Sequence, residues 1–198
     1  MGEEEVVVAE GVKKFSNHSG YMATFKCAGA CSDARTFRVL TMDAKNYNSK
    51  LQRAPDDPEH GLKVNYAEQF SSANVQRDVN KAAAAFQGCE DVSTGKWGCG
   101  IFRGNLYLKF LTQLLAASQV GVQNLSFTTY CQPQEAAQCA ELHAALKRSG
   151  VSPEDLSTFL LSLSKKFTMS AESEDDTVFF DFVMKWLATQ FRGQKRKA

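Results

Sequence analysis

From Gly95 to Asn105 the chain reads Gly-Lys-Trp-Gly-Cys-Gly-Ile-Phe-Arg-Gly-Asn, with four glycines in the ten residues from Gly95 to Gly104, and no other segment restricts the fold as tightly. Directly after it Leu106, Leu108, Phe110, Leu111, Leu114, Leu115 and Ala117 form the broad apolar stripe of an amphipathic helix. Residues 90–97 (EDVSTGKW) read as a strand running into the turn. Glycines let backbone N–H groups approach a ligand closely, and a helix N-terminus adds favourable partial charge for an anion. A phosphate or diphosphate is the ligand such a turn would take. The segment is not the dinucleotide fingerprint GxGxxG, because Arg103 stands in the third glycine's place after Gly98 and Gly100. It also lacks the Lys-Ser/Thr ending of a P-loop. From glycine spacing alone, a tight strand-to-helix turn without a ligand is the competing reading.

The flanking pattern sets the class. Val6 to Ala9 is a β-branched run that reads as a buried strand, Tyr21 to Ala28 alternates as a second, and Thr36 to Met42 reads as a third, with a helix start expected near Asp43. Arg53 to Gly61 carries two prolines and three acids and reads as a surface loop. Asn74 to Phe86 is helical, with Val75, Val79, Ala82, Ala83 and Phe86 on one face. Asn124 to Tyr130 is the next strand. Pro133 opens a helix to Arg148, closed by Gly150. Ser152-Pro153-Glu154-Asp155 starts another, running to about Phe167, with an N-cap serine, proline at the first turn and two early acids. Residues 170–176 read as an acidic linker, Thr177 to Phe191 as an aromatic-rich helix, and Arg192 to Ala198 as a basic tail. Strands first, then strand–helix units and a helical end predict an α/β (α+β) domain with a mixed sheet flanked by helices.

With 23 basic and 22 acidic side chains the formal net charge is +1, which argues against DNA or RNA binding by bulk electrostatics. No apolar run approaches the roughly 18–20 residues of a membrane span. The opening residues Met1 to Glu5 show no signal-peptide pattern, and Val6 replaces the Ser/Thr favoured for myristoylation, so an intracellular, non-secreted chain is expected. Six cysteines stand at positions 27, 31, 89, 99, 131 and 139; only Cys27 and Cys31 are close, without a partner pair or a flanking histidine. Reduced, packing cysteines and no metal or cofactor are the expectation.

The string Gly95-x-Trp-Gly-Cys-Gly-x-Phe-x-Gly, followed by Leu-x-Leu-Lys-x-Leu-x-Gln from Leu106 to Gln113 and then Ala116-Ala117, resembles the diphosphate-binding loop and helix of the poly(ADP-ribose) glycohydrolase family. The resemblance extends to Asn80-Lys81-Ala82 with Phe86, to Glu5–Tyr21, to Val39–Ala44, and to Leu125-Ser126-Phe127-Thr128 and the helices up to about Phe167. It implies a macrodomain fold and hydrolysis of the ribose–ribose bonds of poly(ADP-ribose) to release ADP-ribose. It further implies that Gly98, Cys99, Gly100, Ile101 and Phe102 wrap the diphosphate. Trp97 belongs to the same loop, Tyr21 falls on the tyrosine that covers the ligand, and Lys96 stands where the family has asparagine. Residues 1–170 would form a partial macrodomain, 171–191 the acidic linker and terminal helix, and 192–198 the tail.

The departures shape the functional expectation. The family's Gly-Gly-Gly and Gln-Glu-Glu signature, which carries the general acid, occurs nowhere in this sequence. Glu3-Glu4-Glu5 has no preceding glycine run and reads as a solvated terminus. Arg103-Gly104-Asn105 replaces Gly-Gly-Asp. Thr129 stands in place of a phenylalanine that contacts adenine, and the adjacent Tyr130 is expected on the opposite strand face. A non-catalytic relative acting as a structural or interaction module is the leading expectation, with a protein partner covering an incomplete sheet edge. The alternatives are a glycohydrolase active only when complemented by the missing segment, and a reader of ADP-ribose or poly(ADP-ribose).

Overall fold

The computed structural model describes residues 5–20, 24–33, 35–48, 66–168 and 175–195, with side chains to residue 191. Tyr21, the 53–61 loop, Glu3 and Glu4, residues 170–174 of the acidic run and the basic tail's side chains lie outside the described residues. The described strands are β1 (Val6–Lys13), β2 (Ser16–Ser19), β3 (Lys26–Ala30), β4 (Thr36–Met42), β5 (Asp91–Gly95) and β6 (Asn124–Thr128). A 3-10 turn, Tyr66–Phe70, precedes helices α1 (Ser72–Phe86), α2 (Leu106–Gln119), α3 (Pro133–Ser149), α4 (Pro153–Leu161), α5 (Leu163–Lys166) and α6 (Asp176–Lys195). None of the described helices is long and apolar enough to cross a membrane.

Where one mixed sheet was expected, the described strands form three two-stranded ladders: β1 with β4 and β2 with β3, both antiparallel, and β5 with β6, parallel. Val6, Leu40 and Met42 lean on the helical core. Val7, 51% exposed, and Val39, 42% exposed, do not. The strand expected to be buried is therefore covered on one side only, because no further described strand pairs with its ladder. Asp43 to Asn48 forms no helix; those residues brace the glycine loop instead.

Helix α2 is the spine. Eleven of its 14 residues are buried, so its polar side must find partners inside the protein. Thr112 Oγ1 donates to the Lys109 carbonyl, and Gln113 Nε2 donates to the carbonyls of Lys109 and Gly95. Helices α1 and α2 pack together, as do α3 and α6. Gly150, at φ 59°, ends α3, and Ser152 with Asp155 forms a capping box at the start of α4. The single helix expected up to Phe167 breaks at Ser162, whose hydroxyl bonds the Phe159 carbonyl and competes with the regular ladder. On α6, Phe179, Val183 and Leu187 enter the same core as α2.

Candidate functional site

Parallel pairing aligns Gly95 with Thr128, so the turns after β5 and β6 leave the same edge of this ladder. Ligands of α/β proteins gather at the carboxyl ends of parallel strands. Three of the loop's glycines are required by packing within the protein. A Cβ on Gly95 would lie 2.8 Å from the Thr128 carbonyl oxygen. Gly98 has φ +75° and would meet the Ala44 Cβ at 2.7 Å, and Gly104 would meet the Gly98 oxygen at 2.9 Å. Gly100 differs: nothing lies within 4 Å of a Cβ placed there.

Around Gly100 the carbonyls are tied down. The Gly100 carbonyl accepts from the Arg103 N–H, that of Ile101 from Asn48 Nδ2, and that of Phe102 from the Tyr47 N–H. The N–H groups of Gly100, Ile101 and Phe102 donate to nothing among the described residues. Three successive amides without an acceptor among the described residues, on a turn where one residue has no side chain, offer donors of the kind that anion-binding loops use. Gly104 N–H to the Gly98 oxygen, at 2.8 Å, closes the loop at its base.

The supports are polar, Lys109 fully buried and Lys96, Trp97 and Glu135 half-buried. Trp97 Nε1 donates to the Met42 carbonyl, and Lys109 Nζ lies 4.3 Å from the Trp97 ring centroid. Lys96 reaches across to α3 and donates to both carboxylate oxygens of Glu135, at 2.9 and 2.8 Å. Burial pushes the Cys99 thiol up to about 12. At pH 8 only about one part in 10⁴ of such a thiol is thiolate. Brief iodoacetamide treatment at that pH should therefore alkylate the exposed Cys27 and Cys131 and spare Cys99, as read by peptide mass spectrometry. Alkylation of Cys99 as fast as Cys131 would contradict this placement.

At the helix N-terminus three amides are taken by side chains of the protein itself. The Asn105 N–H donates to Gln69 Oε1 at 2.5 Å, Leu106 N–H to Asp176 Oδ2 at 3.0 Å, and Leu108 N–H to Asn105 Oδ1 at 3.0 Å. Internal side chains occupy these three amides at the start of α2, whereas the N–H groups at 100–102 have no acceptor among the described residues. Gln69 and Asp176 carried no local signal, because each reaches the loop from a distant segment.

Arg103 adopts φ 58°, the left-handed conformation open to the glycine that the resemblance places there. Strand β6 stops at Thr128, so the expected face alternation does not continue. Thr129 is buried, with its hydroxyl donating to the Gln132 carbonyl, while Tyr130 and Cys131 have φ 56° and 59° and Tyr130 is 82% exposed. Of the expected site residues, Lys96 to Phe102 are gathered in one loop, and Tyr21 lies outside the described residues. Among the described residues no three His, Cys, Asp or Glu side chains cluster to hold a metal.

A family model described as "Poly (ADP-ribose) glycohydrolase (PARG), Macro domain fold" matches residues 1–137. The chain is 36% identical over 160 residues to poly(ADP-ribose) glycohydrolase 1 of Caenorhabditis elegans, covering 76% of this chain and 20% of that protein. It is 30% identical over 195 residues to poly(ADP-ribose) glycohydrolase 2 of the same organism, covering 88% and 38%. It is 27% identical over 164 residues to probable poly(ADP-ribose) glycohydrolase 2 of Arabidopsis thaliana, covering 66% and 31%. The aligned region thus spans between 20% and 38% of the length of these curated relatives.

Proposed function

Because the chain belongs to the poly(ADP-ribose) glycohydrolase family with its macro domain fold, we propose that it is a non-catalytic member of that family, acting as an interaction module in a larger assembly. One observation carries this reading. The three carboxylates tied into the loop and α2 are all engaged as acceptors: Asp78 from Lys109 and Arg77, Glu135 from Lys96, and Asp176 from Tyr66, Asn105 and the Leu106 N–H. A glycosidic general acid must hold a proton within reach of the leaving oxygen and release it in the transition state. All three are already committed as acceptors within the protein, which supports the non-catalytic reading.

The interaction surface is the β1–β4 ladder. Val7, Phe37 and Val39 are exposed on the face turned away from the helical core, and both outer edges are unpaired among the described residues. The occupant is a partner polypeptide that adds a strand along one edge and covers those side chains. The open amides of Gly100, Ile101 and Phe102 favour a second reading, in which the loop retains ADP-ribose without cleaving it.

Two measurements separate the readings. Incubation of the full chain with poly(ADP-ribose) should release no ADP-ribose, and steady release would overturn the non-catalytic reading. Calorimetric titration with ADP-ribose tests the second. A Trp at position 100 covers the crest while its Cβ meets no neighbour, so Gly100→Trp should weaken any binding by at least about tenfold. Equal affinity in the two proteins would remove the loop from the account.

A further inference from the structure

We infer that Asp176, at the start of the C-terminal helix, is a positioning residue for the glycine loop. Its two oxygens take three donors from two other parts of the chain. Oδ1 accepts from Tyr66 Oη at 2.7 Å and from Asn105 Nδ2 at 2.9 Å, and Oδ2 accepts from the Leu106 N–H at 3.0 Å. Asn105 Nδ2 also donates to Tyr66 Oη at 3.1 Å, and its own N–H is held by Gln69. Asn105 follows Gly104, whose N–H closes the loop on Gly98. A continuous set of bonds therefore runs from α6 through Asn105 and Gly104 to the crest at Gly100–Phe102.

The arrangement is more specific than general packing. Helix α6 already docks through Phe179, Val183 and Leu187, and its contact with the core does not need a buried carboxylate. Burial raises the Asp176 pKa above the ordinary carboxylate value, so placing the charge there carries a cost that the donors offset. The position also excludes a competing geometry. With its carboxylate on the first amide of α2, an anionic ligand has no access to that amide and is directed to the crest. In this sense α6 sets both the shape of the cradle and the point at which it meets a ligand. The ligand part of this inference rests on the reading of Gly100–Phe102 as an anion cradle; the positioning part does not.

The test uses the full chain and the variants Asp176→Ala, Asp176→Asn and Tyr66→Phe, with amide hydrogen exchange as the first readout. Asp176→Ala should raise exchange at Gly104, Asn105 and Leu106 by about tenfold or more, with the strand amides of Val92 and Leu125 unchanged. Asp176→Asn keeps an oxygen for the Leu106 N–H but cannot accept from Asn105 Nδ2, so it should restore protection at Leu106 and leave Asn105 less protected. Should the alanine variant fail to fold, Tyr66→Phe, which removes one donor to Oδ1, should give a smaller rise at Asn105 alone. A uniform rise across loop and strands, or no change in any variant, would overturn the inference. The second readout is ADP-ribose affinity, expected to fall about fivefold in Asp176→Ala and to recover in part in Asp176→Asn. If the unmodified chain does not bind ADP-ribose, the cradle reading fails, and the exchange pattern still decides the role of Asp176.

Discussion

Lys109→Met should lower the unfolding free energy by about 3–5 kcal/mol, one of the largest effects expected of a single side chain in this protein. Lys109 is fully buried on α2, and its Nζ lies 2.5 Å from Oδ2 of Asp78, which is 2% exposed. Methionine preserves most of the volume and removes the charge, which leaves Asp78 in a dry site with one partner fewer. Arg77 Nη1 still reaches Asp78 Oδ1 at 2.9 Å, so the loss should fall near the lower end of the range. The cation over the Trp97 ring is lost as well. Urea titration should show a lower midpoint with an unchanged slope. The pair Asp78→Asn with Lys109→Met should recover part of the loss, because the buried carboxylate is gone and the new amide oxygen can still accept from Arg77 Nη1. A loss below about 1 kcal/mol for the single variant would mean that Asp78 finds other compensation.

Phe179→Ala should cost a similar amount, about 3–5 kcal/mol, by a different route. The Phe179 side chain is fully buried, and its ring lies 5.1 Å from that of Phe70, 5.2 Å from Phe167 and 6.5 Å from Phe182. Truncation opens a cavity where the 3-10 turn, the end of α5 and α6 converge, and the rings around it cannot all close in. The Trp186 ring, stacked on Phe159 at 3.8 Å, reports the change through its fluorescence. A cost under about 1.5 kcal/mol would mean that α6 lies on the core without helping to build it.

What the sequence announced were features carried by neighbours along the chain. Asn105 as the entry to α2, the proline and capping residues of α4, and the closing Gly150 depend on a few adjacent positions, and each was legible. The loop was legible for the same reason: Gly98 needs its positive φ and Gly104 its close approach within a ten-residue span. Strand β2, Ser-Asn-His-Ser, has no apolar alternation and exists only through pairing with β3. The expected helix after Asp43 gave way because Tyr47 and Asn48 bond loop carbonyls more than 50 residues away. Partners such as Asp78 for Lys109, Gln69 for Asn105 and Asp176 for Leu106 depend on tertiary closure, which no local pattern records. The chemistry of the cradle was suggested by the resemblance of residues 95–117, while the engagement of its neighbouring carboxylates arises only from the tertiary fold.

The bond between Asn105 and Asp176 also sets an order of events during synthesis. The two residues are 71 positions apart. At about 5–20 residues per second, a ribosome needs roughly 4–14 seconds to travel from one to the other. Throughout that interval the nascent loop and α2 exist without the carboxylate that secures their junction. The junction of loop and helix is therefore among the last parts of the protein to be secured, and an early stop or a cleavage before Asp176 would leave a chain that has its glycine loop and lacks one of the anchors that hold it in shape.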